Sequence, residues 1–195
     1  MTKQEAHDFR HGSITKAELA KQIRVASYLT GEFRLRSGNI SNFYWDKYRF
    51  ESDPALLMAI AKEMAKLLPS RCDGLAGLEL GGIPLATAVS LQTGIPCFYV
   101  RKAAKTYGTC NLIEGGAAAG SNLVVIEDVI TTAGQVCTSI EQIRAVGYTV
   151  EHVVAVIDRQ AGGAEKIHAL GCSFASVFTL EALEANSGPR TANRE

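Results

Sequence analysis

NLVVIEDVITTAGQ, running from Asn122 to Gln135, joins an apolar run, two adjacent carboxylates and a turn of small residues in one unit. Leu123 to Ile126 is a short β-branched run of the kind buried in a parallel sheet, and Glu127 and Asp128 are expected to emerge where that strand ends. Thr131, Thr132, Ala133 and Gly134 then bend the chain tightly enough for backbone N–H groups to surround an anion at the start of the next helix. An ordinary strand, turn and helix reads similarly, with Thr131 or Thr132 as the cap and the acids merely favouring the helix N-terminus. Adjacent carboxylates at the mouth of a buried strand are costly unless something hydrogen-bonds them, which points to a ligand. A vicinal diol beside a phosphate, as in a ribose phosphate, satisfies both halves of the unit. Neither a Walker A pattern nor GxGxxG occurs, so nucleotide hydrolysis and dinucleotide binding have no comparable support.

Outward from this unit, short apolar runs alternate with helical patterns. Leu75 to Leu80 precedes a helix over Ile83 to Leu91, Cys97 to Val100 follows, and Leu123 to Ile126 leads into a helix over Ala133 to Val146. Val153 to Ile157, a helix around Gly163 to Leu170, and Phe174 to Phe178 complete the series. Such alternation predicts an α/β fold whose central, mainly parallel sheet is flanked by helices, with the strand C-termini on one edge and their loops converging on one ligand. Upstream, Ile14 to Leu29 reads as a helix opened by Ser13 or Thr15, and Asp53-Pro54 opens a second that Pro69 stops.

The chain has 195 residues and is 47% hydrophobic, enough for one substantial core, so a single domain over 1–195 is expected. Within it, residues 1–50 are expected to form an N-terminal helix and hood segment, and Asn186 to Glu195 a mobile tail. Twenty basic and twenty acidic side chains balance, which leaves no global footprint for nucleic acid or an anionic membrane. The odd set Cys72, Cys97, Cys110, Cys137 and Cys172 lacks a CxxC pair and reads as reduced thiols. With a polar N-terminus and no apolar run of membrane-spanning length, a cytoplasmic protein is expected. None of the four histidines falls in a motif, and no Ser–His or Cys–His pairing suggests covalent catalysis.

After Val100, the stretch RKAAKTYGTCNLIEG places Arg101, Lys102 and Lys105 within five residues, with Gly108 close behind. A solvated loop with scattered charges would look alike, but its place directly after a strand suits a cationic partner for pyrophosphate. NLVVIEDVITTAGQ resembles the phosphoribosyl pyrophosphate (PRPP) motif of type I phosphoribosyltransferases, and RKAAKTYG resembles the RKEAKDHG loop of the orotate phosphoribosyltransferases. LRSGNISNFYWD, GLELGGIP and DRQAGG resemble that family in the same chain order, so the likeness extends from Leu35 to Gly163.

The resemblance implies a type I phosphoribosyltransferase-like fold and the reaction of orotate with PRPP and Mg2+ to give orotidine 5'-monophosphate and pyrophosphate, in pyrimidine (UMP) synthesis. Residue by residue, it places Glu127 and Asp128 at the ribose hydroxyls and Thr131, Thr132, Ala133, Gly134 and Gln135 around the 5'-phosphate, with Val129 and Ile130 between them. Lys102, Asp128, Arg101 and Lys105 become the catalytic candidates, the cations neutralising pyrophosphate. Arg36, Leu80, Gly81 and Tyr107 fall at substrate-binding positions; Arg159 falls where an arginine holds the orotate carboxylate, and Tyr44 and Trp45 where aromatics flank its ring. Mg2+ is expected through PRPP and water rather than through protein ligands. A homodimer is implied too, with the loop from Arg101 to Gly115 crossing to the neighbouring site.

From the residues alone, Arg159 could instead pair with Asp158 at a strand end, and Tyr44 and Trp45 could be core aromatics of an alternating strand. Some positions depart from the family pattern. Gly81 stands where many orotate enzymes carry the lysine of a YKG sequence, which leaves main-chain amides to meet pyrophosphate, with Gly81-Gly82 supplying the unusual dihedrals. Glu79 is an unexpected acid there, with a role through Mg2+ in view. Arg36 replaces a lysine, and Tyr107 replaces a loop histidine, so a flatter pH–rate profile between about 6 and 8 is expected. Two other functions fit the same motif: a phosphoribosyltransferase for another base, and a non-catalytic regulator that senses PRPP.

Overall fold

Caps, pairing and side-chain periodicity divide the described residues of the computed structural model, 14–34, 38–104 and 111–185, into alternating helices and strands. In chain order these are α1 (Lys16–Ser27), β1 (Tyr28–Arg34), β2 (Ile40–Trp45), α2 (Tyr48–Ser52), α3 (Pro54–Ala65), β3 (Gly74–Leu78), α4 (Gly82–Thr93) and β4 (Cys97–Val100). There follow β5 (Ile113–Glu114), β6 (Asn122–Ile130), α5 (Gly134–Ala145), β7 (Thr149–Asp158), α6 (Gly163–Ala169), β8 (Ser173–Thr179) and α7 (Leu180–Ala185). The expectations placed on Ser13, Arg36, Lys105, Tyr107, Cys110 and the tail 186–195 lie outside the described residues.

Thr15 opens α1, its hydroxyl oxygen accepting from the Glu18 amide at 3.2 Å. The helix stops at Ser27, short of the expected Leu29, because Tyr28 and Leu29 pair with Trp45 and Tyr44 across an antiparallel hairpin. Pairing between distant residues wins here over local helical spacing. Asp53 caps α3 by accepting from the amides of Ala55 and Leu56 at 2.9 and 3.1 Å, and Pro54 fits the first turn, where its missing N–H costs nothing.

The main sheet has the order β5-β4-β3-β6-β7-β8, all neighbours parallel except β5, which runs antiparallel to β4. Alternate residues of β6 serve two cores. Val124 and Ile126 pack with Ile23 of α1, Ile60 and Met64 of α3 and Leu85 and Val89 of α4. Leu123 and Val125 pack on the opposite face with Val136, Ile140 and Ile143 of α5 and Ile167 of α6. The faces differ because β3 passes through α4 outward to β4, whereas β6 passes through α5 the other way to β7.

That reversal puts a crevice at the carboxyl ends of β3 and β6, the place where open α/β sheets bind ligands. Pairing of β6 with β3 ends at Gly77 opposite Ile126, while pairing with β7 continues to Ile130 opposite Asp158. β6 therefore runs farther than the expected Ile126, and Glu127 and Asp128 lie within the strand rather than beyond it. β7 supplies the partners that keep those residues extended.

Replacing Asp53 with Ala removes the α3 cap. We expect a loss of about 1 kcal/mol of stability, read as a fall in melting temperature of about 2–4 °C by circular dichroism.

Candidate active site

Asp128 is fully buried at the β3–β6 crevice, where Oδ1 accepts from the Val129 amide at 2.5 Å and Oδ2 meets the Lys47 ammonium at 2.5 Å. Lys47 belongs to the turn between β2 and α2, and Glu51 of α2 is buried against the same carboxylate. Glu127, half-buried, completes the cluster. Burial and the charge of Asp128 push the Glu51 carboxyl up to about 8, while Lys47 pulls the other way. Glu127 is raised too, first by burial and then by Asp128. Burial alone would lower the Lys47 ammonium, but the charge and hydrogen bond of Asp128, with Glu127 behind it, raise it overall.

At the end of β6 the chain turns through Thr131 and Thr132 to Ala133, whose φ of 53° and ψ of 14° lie in the left-handed region before α5 begins. Among the described residues no side chain caps α5, so neither threonine serves as a cap and the first amides of the helix keep their donors for another partner. The Ile130 side chain is buried in the core, and its carbonyl accepts from the Arg159 amide at 2.8 Å. Of the residues assigned to substrate in this segment, Ile130 can therefore offer only backbone.

Gly81, at the start of α4, has φ −65° and ψ −30°, an ordinary helical conformation. The reason for glycine is space rather than unusual dihedrals: a β-carbon at residue 81 would collide with Asp128 Oδ2, and one at Gly82 would collide with the Ile126 carbonyl. Leu80 is exposed, and the Glu79–Leu80 peptide bond is cis. Glu79 Oε2 accepts from the Lys102 amide at 3.1 Å, which ties the β3 turn to the root of the basic loop. Pairing of β4 with β5 and the hydrogen bond from the Arg101 amide to the Leu112 carbonyl at 3.0 Å bring the two stems of that loop together. Arg101 is half-buried and Lys102 exposed.

A cavity of about 430 Å3 opens beside the acids, with Lys47, Thr131 and Arg159 among its polar lining. Tyr44, Trp45, Phe50 and Val129 give it flat and apolar walls. Both aromatics thus face the cavity, although Trp45 also packs against the core. Arg159 is exposed and forms no ion pair with Asp158 among the described residues; Asp158 Oδ1 accepts instead from the Gln160 amide at 2.8 Å. Sequence reasoning missed Lys47 and Glu51, which lie outside every recognisable string. The helical spacing of Lys47 and Glu51 after β2 was the signal available, and it does not say which acid they will meet. It also missed one pairing: His152 Nδ1 and Ser173 Oγ lie 2.5 Å apart, at the start of β8 and away from the crevice.

A phosphoribosyl transferase domain model matches residues 49–179. An orotate phosphoribosyltransferase of Nocardioides sp. is 49% identical over 169 residues, covering 87% of this chain and 94% of that protein. The chain belongs to the orotate phosphoribosyltransferase family. A second member, from Methanocella arvoryzae, is 42% identical over 160 residues, covering 82% of this chain and 90% of its own. Among solved structures, the Mycobacterium tuberculosis orotate phosphoribosyltransferase in complex with Fe(III) dicitrate superposes with a TM-score of 0.79 at 36% identity, covering 86% of this chain and 98% of that one. The same enzyme in complex with PRPP gives a TM-score of 0.74 at 33% identity over 87% of this chain and 98% of its own. The parallel sheet with helices on both faces is thus the fold of this family.

Raising Glu51 from its ordinary 4.5 to about 8 means that the folded protein keeps a proton the unfolded chain has released between those values. Stability therefore falls as pH rises through that window. Glu51→Gln has no proton to lose, so between pH 5 and 8 the melting temperature of the wild-type protein should drop by at least about 3 °C more than that of the variant.

Proposed function

We propose that this chain transfers the ribose 5-phosphate group of PRPP to orotate, releasing pyrophosphate and forming orotidine 5'-monophosphate for UMP synthesis in the cytoplasm. The observation that carries the reading is the convergence, at one crevice, of Glu127 and Asp128, the uncapped start of α5 and the cavity holding Arg159. Membership of the orotate phosphoribosyltransferase family supports the same assignment.

In this reading the carboxylates accept from the two ribose hydroxyls, and the turn from Thr131 to Gln135 surrounds the 5'-phosphate with N–H donors. Arg159 grips the orotate carboxylate in a fork, while Tyr44 and Trp45 flank the ring from the cavity wall. The bond between C1' and the diphosphate oxygen breaks with its electron pair leaving on diphosphate, and the orotate ring nitrogen forms the new bond to C1' as its N–H proton passes to the departing diphosphate or to water. No protein nucleophile is required, because holding the two reactants in line lowers the barrier. Arg101, Lys102 and Lys105 neutralise the departing diphosphate and help exclude water.

Mg2+ belongs to this reading as an ion carried by the substrate. Among the described residues no cluster of three His, Cys, Asp or Glu side chains is arranged to cage a metal, and in the acidic cluster the cation is Lys47. The donor set fits an ion bound by PRPP oxygens and water, supplying charge neutralisation to the diphosphate. A homodimer completes the proposal, the basic loop of one subunit reaching the site of the other.

A pyrophosphate-release assay with PRPP, Mg2+ and a panel of bases tests this. We expect robust release with orotate alone, a drop of at least ~100-fold in Asp128→Asn and in Lys102→Ala, the scale of lost transition-state charge stabilisation, and a large rise in orotate KM in Arg159→Ala. Turnover of a different base would reassign the substrate, and stoichiometric PRPP binding without turnover of any base would favour a sensor.

A further inference from the structure

Lys47 and Glu51 come from an element that takes no part in the main sheet, yet both reach Asp128. The Asp128 carboxylate is held from two directions, by the Val129 amide on Oδ1 and by the Lys47 ammonium on Oδ2, and Oδ2 fills the space that glycine leaves at position 81. β6 is secured by β3 and β7 without any help from Lys47, so the ion pair is not what builds the strand. The company is mostly acidic: Asp46 and Glu51 on the hood side, Glu127 on β6, with Tyr48 beside Lys47 and Arg159 on the same cavity. A buried carboxylate crowded by acids keeps one fixed orientation only while a cation faces it.

We propose that Lys47 is a positioning residue, its ammonium fixing the buried Asp128 in the orientation that fills the space over Gly81 and so holding the end of β6, with the half-buried Glu127 beside it, in place for the ribose hydroxyls. Positive charge then reaches the sugar site from the hood rather than from residue 81. The inference rests on the reading that PRPP lies against Glu127 and Asp128. It assigns Lys47 no contact with the reacting atoms; it acts through Asp128.

Calorimetric titration of the full chain with PRPP and Mg2+ at pH 7 tests it. Lys47→Met should weaken PRPP binding by roughly 30-fold relative to wild type, the scale of removing one partner of a buried charge pair. In an Asp128→Asn background that ratio should shrink by at least about fivefold, because the carboxylate through which Lys47 acts is gone. Lys47→Arg should stay within about threefold of wild type, because it keeps the cation. A Lys47→Met protein that binds PRPP within about threefold of wild type would overturn the proposal, as would an equal loss in the Asp128→Asn background or a Lys47→Arg variant as weak as Lys47→Met. An equal loss in both backgrounds is what simple attraction between lysine and the anionic ligand predicts. Should Lys47→Met not be recovered folded, adding Glu51→Gln removes one competing acid, and the double variant carries the same expectation. Failure of the functional reading shows separately, as a wild-type protein that binds no PRPP or turns over no orotate.

Discussion

The change of winding direction between β3 and β6 is the constraint from which the site follows. Because β3 feeds α4 on one face and β6 feeds α5 on the other, the last residues of β6 lose a strand on one side while β7 still holds them extended on the other. Backbone geometry is fixed there, but space opens toward the β3 turn. A charged side chain such as Asp128 can then be buried without being packed in hydrocarbon, provided that a cation meets it. The acids, the turn to α5 and the Arg159 loop all issue from this one edge, which is why residues from distant parts of the chain share a cavity.

Much of this was legible in the sequence, and the reasons are specific. The run Leu123 to Ile126 betrays a buried strand because both of its faces are apolar, and small residues after the acids betray a tight turn into the next helix. Asp53-Pro54 announces α3 because a cap and a rigid first residue act within one turn of chain. What local pattern could not supply was pairing at a distance. The hairpin that ends α1 early, the short β5 beside β4, and the extension of β6 to Ile130 are all decided by strands elsewhere in the chain. Lys47 and Glu51 escaped notice for the same reason, since a lone lysine in a turn and a lone glutamate in a short helix gain meaning only from the carboxylate they meet.

Gly81 shows how a residue can be singled out for the wrong reason. Glycine in a loop near phosphate suggests backbone freedom, yet this residue adopts helical angles that any amino acid accepts. Its neighbour in space decides the matter: Asp128 Oδ2 takes the volume that a side chain would need. Glu79 is similar. Its acid is occupied by the Lys102 amide, so it serves to anchor the basic loop to the β3 turn.

The contact between Gly81 and the Asp128 carboxylate also bears on how such a chain can change over generations. A lysine at position 81 cannot be introduced while Asp128 keeps its present rotamer, and Asp128 cannot swing away without abandoning Lys47. Positions 47, 81 and 128 therefore form an epistatic set, in which each single exchange is penalised until the others follow.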